Sequence, residues 1–210
     1  MRNALSLSAC MALAACTAAA EPGPVAVNMA EVEPVAECAA ASVPSAHRAA
    51  IRLKRADGSF LCSAVLFTSQ RIATAGHCVK SVSQVIAEID DQNYLAEVVW
   101  VGGPGGEDVA VLELSAPLTS AAPAAVASHS AEPIEPLTIV GYGCSGGRVQ
   151  LERPTHRRWS EWAETTEYQC AGCTCSGDSG SPVFNAAGEL VGINWAAGEP
   201  QLTDAGLLLN

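Results

Sequence analysis

Positive charge is scarce in this chain of 210 residues: 11 Lys and Arg face 22 Asp and Glu, for a net charge of −11 and a pI near 4.7. Neutralising phosphates takes a basic face, so nucleic acid is not an expected partner. Aromatic residues are only 5% of the chain, and any core must be built from Val, Ile, Leu and Ala. Charged residues are also few, at 16% against 49% hydrophobic, which excludes a generic disordered polymer. No apolar run approaches the roughly 20 residues of a bilayer-spanning helix. Beyond the first residues no stripe with helical period is sustained, and no repeat recurs at a fixed spacing. What remains is one globular domain or two small ones.

Cysteine, by contrast, is abundant. Nine residues are more than a reducing cytosol favours, and they point to export and disulfide bonding. Residues 1–16 read as a secretory signal: Arg2 precedes an apolar stretch from Ala4 to Ala15, too short to cross a bilayer. Its end, Leu13-Ala14-Ala15-Cys16, resembles the bacterial lipobox, in which the cysteine is lipidated. Cys16 is therefore the expected anchor, and a lipid the only expected membrane contact, with an exported chain held at the cell envelope or secreted. Residues 17–45 are rich in Ala, Pro and Val, with Glu21, Glu31, Glu33 and Glu37 as the only charges. They hold no sustained period and read as a tether with a reach of about 30 Å.

From Ala49 onward short apolar segments alternate with turn residues. Ile51 to Leu53 ends at Asp57-Gly58, a turn signal. Phe60–Phe67, Arg71–Thr74, Val85–Ile89, Leu95–Val101 and Val109–Leu114 follow, and later Leu137–Tyr142, Val183–Asn185 and Leu190–Trp195. Many short strands with Gly/Pro turns predict an all-β barrel or sandwich architecture. The stretch from Ser115 to Pro136 is rich in Ala, Ser and Pro and suits a connection between two halves.

Three separated segments carry chemistry: Thr74-Ala75-Gly76-His77-Cys78, Asp108-Val109-Ala110-Val111-Leu112, and Cys175-Ser176-Gly177-Asp178-Ser179-Gly180-Ser181-Pro182. A serine hydroxyl is a poor nucleophile at neutral pH. It needs an imidazole to take its proton and a carboxylate to fix that imidazole's tautomer. One candidate for each role is present, in the order His, Asp, Ser. Glycines flank the serine, as expected where backbone N–H groups must approach an oxyanion.

These segments resemble the T-A-A-H-C, D-I-A-L and G-D-S-G-G-P motifs of the chymotrypsin-like (trypsin-like) serine peptidases. The resemblance covers about residues 45–210. Gly141-Tyr142-Gly143 stands where the family has G-W-G, and Val191-Gly192-Ile193-Asn194-Trp195 where it has V-G-I-x-S-W. It implies two antiparallel six-stranded β-barrels, here expected over 46–118 and 137–210 with 119–136 connecting them, and an active site in the cleft between. It further implies His77 as general base, Asp108 as its orienting carboxylate, Ser179 as nucleophile, and the amides of Gly177 and Ser179 as oxyanion donors. The activity implied is endopeptidase cleavage through an acyl-enzyme, with peptide or protein as substrate and neither cofactor nor metal. The competing readings are a protease-like binding lipoprotein without turnover, and a structural lipoprotein with vestigial motifs.

The pattern is departed from in places. Ser181 replaces the second glycine after the nucleophile. No Ile-Val-Gly-Gly-like segment precedes the first barrel, so Asp178, if buried, calls for an internal partner, with Arg48, Arg52 and Arg71 as candidates. Cys173 stands where the trypsin branch has an aspartate, and Asn194, Trp195 and Ala196 are expected to wall the pocket. A small or medium apolar residue is the expected specificity. The family bridges the positions of Cys62 and Cys78, while Cys144 is expected to reach Cys170 or Cys175, closing a loop worth about 3–4 kcal/mol. Cys170-Ala171-Gly172-Cys173, with His156 nearby, also has a metal-ligand spacing, but its place beside a nucleophile motif in an exported chain favours disulfides. His156-Arg157-Arg158-Trp159 reads as a solvated strand edge or loop. Up to Asn210 no segment resembles the helix that closes the family's fold, so a compact form of that fold is expected.

Overall fold

The structure is a computed structural model. It describes residues 48–102, 108–132, 135–147, 150–159, 166–168, 174–196 and 201–206. All of these belong to the second of two units, Met1–Pro34 and Val35–Asn210. Cys16 and the segments expected to be signal and tether lie outside the described residues.

Twelve strands form two closed barrels. The first comprises β1 (Ala50–Lys54), β2 (Phe60–Leu66), β3 (Arg71–Thr74), β4 (Gln84–Ile89), β5 (Gln92–Val101) and β6 (Ala110–Leu114), in the order β1-β2-β3-β6-β5-β4. The second comprises β7 (Pro136–Gly141), β8 (Leu151–Trp159), β9 (Thr166–Tyr168), β10 (Pro182–Phe184), β11 (Leu190–Asn194) and β12 (Gln201–Asp204), in the order β10-β11-β12-β9-β8-β7. Every strand pairing is antiparallel. Closure leaves neither barrel with an open edge. The two-barrel, all-β architecture is thus the one that the motifs implied. The expected turn at Asp57-Gly58 joins β1 to β2, with Gly58 at φ +81° and the Ser59 amide donating to Asp57 Oδ1 at 2.9 Å. Among the described residues no helix is long and apolar enough to cross a membrane.

Alternation explains the first core. In β6, Ala110, Leu112 and Leu114 are buried while Val111 and Glu113 are less so. With Ile51, Leu53, Ala64, Leu66, Ile72, Ala87 and Ile89 they form an aliphatic cluster. β2 breaks the alternation, since Cys62 to Leu66 are all buried. A strand side chain points to one face or the other in turn. Ala64 and Leu66 therefore fill the first barrel. Val65 meets Ala73, Val140, Phe184 and Ile193 in a second cluster drawn from both barrels. Ser63, on that same outer face, is also directed at the second barrel.

Charge closes one seam. β1 and β4 pair Arg52 opposite Glu88, whose side chain is 7% exposed and contacts both Arg52 and Lys54. One nearly buried carboxylate is thus shared by two cations at the barrel's closing junction.

The residues of β8, β9 and β12 carry no apolar pattern that marks strands, and only the six-stranded barrel that the resemblance implies calls for them. The basic stretch His156 to Trp159, read as a solvated strand edge or loop, lies within β8, which pairs with β7 on one side and β9 on the other. Backbone pairing, to which side-chain pattern is no guide, makes these strands.

Leu112 is fully buried in the first barrel. Leu112→Ala is expected to lower unfolding free energy by about 2–5 kcal/mol, read as a lower midpoint in urea denaturation at unchanged slope.

Candidate active site

A single helical turn, α1 (Gly76–Val79), follows β3 and carries His77. The start of a helix leaves amides without intrahelical acceptors. Asp108 satisfies one of them: its Oδ1 accepts the His77 backbone N–H at 2.7 Å, while its Oδ2 lies 2.5 Å from His77 Nδ1. The carboxylate therefore grips residue 77 at two points and fixes the ring against its own backbone. Gly76 makes this approach possible, since a Cβ there would lie 2.9 Å from Asp108 Oδ1. With Nδ1 as donor to Asp108, Nε2 keeps its lone pair. The His77 side chain is 41% exposed and that of Asp108 27%, so the pair faces open space rather than the core.

The Cys62–Cys78 bond ties α1 to β2, with Cα atoms 6.4 Å apart. This is the pairing that the family resemblance implied. Cys144 bonds to Cys175, one of its two expected partners, with Cα atoms 4.9 Å apart. Cys170 and Cys173 lie outside the described residues. Cys62, His77 and Cys78 form one cluster of metal-binding atom types, and Cys144, Cys175 and Asp178 another. In each, both sulfurs are already bonded to one another, and a disulfide sulfur is not the thiolate that a metal takes.

Ser179 is half-buried and its loop is pressed onto the first barrel beside α1. The Ser179 carbonyl accepts the Ser63 N–H at 3.0 Å and lies 4.0 Å from Cys78 Sγ, one residue from His77. Gly180, at φ +84°, packs so closely that a Cβ would fall on the Ser63 carbonyl and the Thr74 hydroxyl. That position accepts neither the bulk nor the backbone preference of another residue. The three segments singled out in the sequence are thus brought to one place.

Amide accounting along the loop is selective. The N–H groups of Asp178, Gly180 and Ser181 donate to the carbonyls of Cys175, Asn194 and Asp178. Those of Gly177 and Ser179 donate to no acceptor among the described residues. Two alternate amides are therefore left for a ligand.

Asp178 is completely buried. Its carboxylate accepts the amides of Gly143 at 2.8 Å and Cys175 at 2.9 Å. The expectation that Arg48, Arg52 or Arg71 would pair with it is corrected. Arg48 and Arg71 are exposed, and Arg52 contacts Glu88, donates to the Gly147 carbonyl at 2.7 Å and sits 5.5 Å from the Tyr142 ring centre. Arg52 thereby clasps the turn Tyr142–Gly147, whose amide at Gly143 holds Asp178. Burial raises the Tyr142 phenol above its ordinary value, against the opposing pull of Arg52, so the ring stays neutral at physiological pH.

Of the expected pocket residues, Cys173 lies outside the described residues, and Trp195 and Ala196 are half-buried. The Asn194 side chain is fully buried and its Nδ2 donates to the Asp178 carbonyl at 2.9 Å, so it braces the loop from beneath instead of facing an open wall. Two contributors escaped sequence reasoning. Ser63 was visible only as one polar residue in the apolar run Phe60–Leu66, and Thr74, whose hydroxyl donates to the Ser63 carbonyl at 2.8 Å, only as the first residue of the histidine motif.

A family model described as the trypsin-like peptidase domain matches residues 62–193. Trypsin alpha-4 of Lucilia cuprina is 28% identical over 189 residues, covering 70% of this chain and 72% of that protein. Among solved structures, the active form of the Rv3671c protease from M. tuberculosis superposes with a TM-score of 0.61 at 18% identity, covering 79% of each chain. Kallikrein-related peptidase 10 gives a TM-score of 0.66 at 17% identity, covering 80% of this chain and 95% of that one. At such identities the structural likeness is one of fold.

A Cβ on Gly143 would lie 2.6 Å from Asp178 Cγ and 2.8 Å from its Oδ1. Gly143→Ala is expected to displace that carboxylate and slow reaction with a fluorophosphonate by at least about tenfold, equivalent to about 1.4 kcal/mol of barrier. The labelling time course reads this directly.

Proposed function

The chain belongs to the trypsin-like peptidase family, and from that footing we propose that it is a serine endopeptidase working through His77, Asp108 and Ser179. The observation that carries this reading is the two-point hold of Asp108 on His77, at 2.5 and 2.7 Å, in the turn beside which the Ser179 loop packs, a loop that leaves two amides undonated. In this mechanism His77 Nε2 takes the proton of the Ser179 hydroxyl as its oxygen attacks the scissile carbonyl carbon. The imidazolium so formed is stabilised by Asp108. The carbonyl oxygen becomes an oxyanion and accepts the N–H groups of Gly177 and Ser179, a contribution of about 3 kcal/mol per donor. Collapse breaks the peptide bond, and the leaving amine departs with the proton from His77. Water then repeats the sequence on the acyl-Ser179 ester, with His77 as base, and releases the acid.

The pocket is proposed to take a small or medium apolar side chain, because no carboxylate stands at the position held by Cys173. Export, with lipidation at Cys16, is proposed from the signal pattern and is supported by the two disulfides, which need an oxidising compartment.

A fluorophosphonate is expected to label the full chain, and Ser179→Ala to lose the label completely. Asp108→Asn is expected to keep the fold while lowering kcat by about 10⁴-fold. An unlabelled wild-type protein with native circular dichroism would instead identify a binding module. In a peptide library, cleavage is expected after small or medium apolar residues; strict cleavage after Arg or Lys would overturn the pocket assignment.

A further inference from the structure

Ser63 is 1% exposed, and every polar atom it has is in use. Its N–H is shared between the carbonyls of Gly177 and Ser179, both at 3.0 Å. Its hydroxyl donates to the Gly177 carbonyl at 3.0 Å and accepts the Tyr142 N–H at 3.0 Å. Its carbonyl accepts the Thr74 hydroxyl at 2.8 Å. One residue of the first barrel thus engages both segments of the second that surround the nucleophile. We infer that Ser63 is a positioning residue for the oxyanion site, turning the nucleophile loop so that the Gly177 and Ser179 amides face the substrate.

A peptide group is planar and trans, so fixing its carbonyl fixes the direction of the N–H across the bond. The group joining Gly177 to Asp178 is held at its carbonyl by Ser63 and at its N–H by the Cys175 carbonyl at 3.0 Å. The group joining Ser179 to Gly180 is held by Ser63 at one end and the Asn194 carbonyl at 2.6 Å at the other. Between them, the Asp178 carbonyl is drawn inward by Asn194 Nδ2 and the Ser181 amide, which sends the Ser179 N–H outward. The Ser63 hydroxyl adds what a glycine or alanine at this place would lack. It couples the loop to Tyr142, and so to the neighbouring Gly143 amide that holds Asp178.

The inference rests on the peptidase reading of Ser179, and the test keeps the two apart. On the full-length protein, active sites are counted by fluorophosphonate titration, so that any unfolded fraction drops out. Then kcat per site, KM, and affinity for a peptide aldehyde are measured; the aldehyde adds to Ser179 and places an oxyanion in the site. Ser63→Ala is expected to lower kcat per site by about 10–100-fold with KM nearly unchanged, and to weaken the aldehyde by a similar factor. Ser63→Thr, which keeps the hydroxyl, is expected to restore most of both. If Ser63→Ala does not fold, Ser63→Gly takes its place in the same comparison. A kcat per site within about threefold of wild type overturns the inference, as does a lower kcat with unaltered aldehyde affinity. A wild-type chain that takes no label overturns the peptidase reading, and this inference with it.

Discussion

Where two barrels meet, the carbonyls of the loop that carries Ser179 must find donors, because a buried carbonyl without one is costly. β2 supplies them. The Ser63 N–H and hydroxyl take the Gly177 carbonyl, and the same N–H takes that of Ser179. With the Gly177 and Ser179 carbonyls held by β2 and the Asp178 carbonyl by Asn194 and the Ser181 amide, the amides of Gly177 and Ser179 are the two left over. The chemistry proposed for Ser179 depends on this arrangement. The contact also sets the distance between halves: the Gly180 backbone lies where no side chain fits, against Ser63 and Thr74, directly before the turn that carries His77.

Asp178 shows a second consequence of the same docking. A fully buried carboxylate needs hydrogen-bond donors. Here the amides of Gly143 and Cys175 converge on it, and the Cys144–Cys175 bond joins the two segments that provide them. Arg52 acts at one remove by clasping the same turn through the Gly147 carbonyl and the Tyr142 ring. Glu88, which it shares with Lys54, holds Arg52 within the seam between β1 and β4.

Much of this was legible in the linear chain. His77, Asp108 and Ser179 stand in short motifs whose residue types are dictated by chemistry, and the structure assembles those segments side by side. The first barrel was readable because its aliphatic residues alternate, as in Ala110 to Leu114. Elsewhere the signal fails for definite reasons. β8 holds four charged residues and Pro154, so its side chains advertise no strand; its partners on both sides make it one. Arginines were sought for Asp178 because a cation is visible in a sequence, whereas backbone amides belong to every residue and leave no mark. Asn194 was placed on a pocket wall by its motif, yet its side chain turns beneath the loop. Ser63 looked like an interruption in an apolar strand.

Each of the two described disulfides lies within a half: Cys62–Cys78 joins β2 to α1, and Cys144–Cys175 joins two loops of the second barrel. Among the described residues, therefore, no disulfide joins the halves, which pack through Val65, Phe184 and Ile193 and the Ser63 hydrogen bonds. Any change in the spacing of the two halves is therefore set by this apolar cluster and the Ser63 hydrogen bonds, and breaks no disulfide.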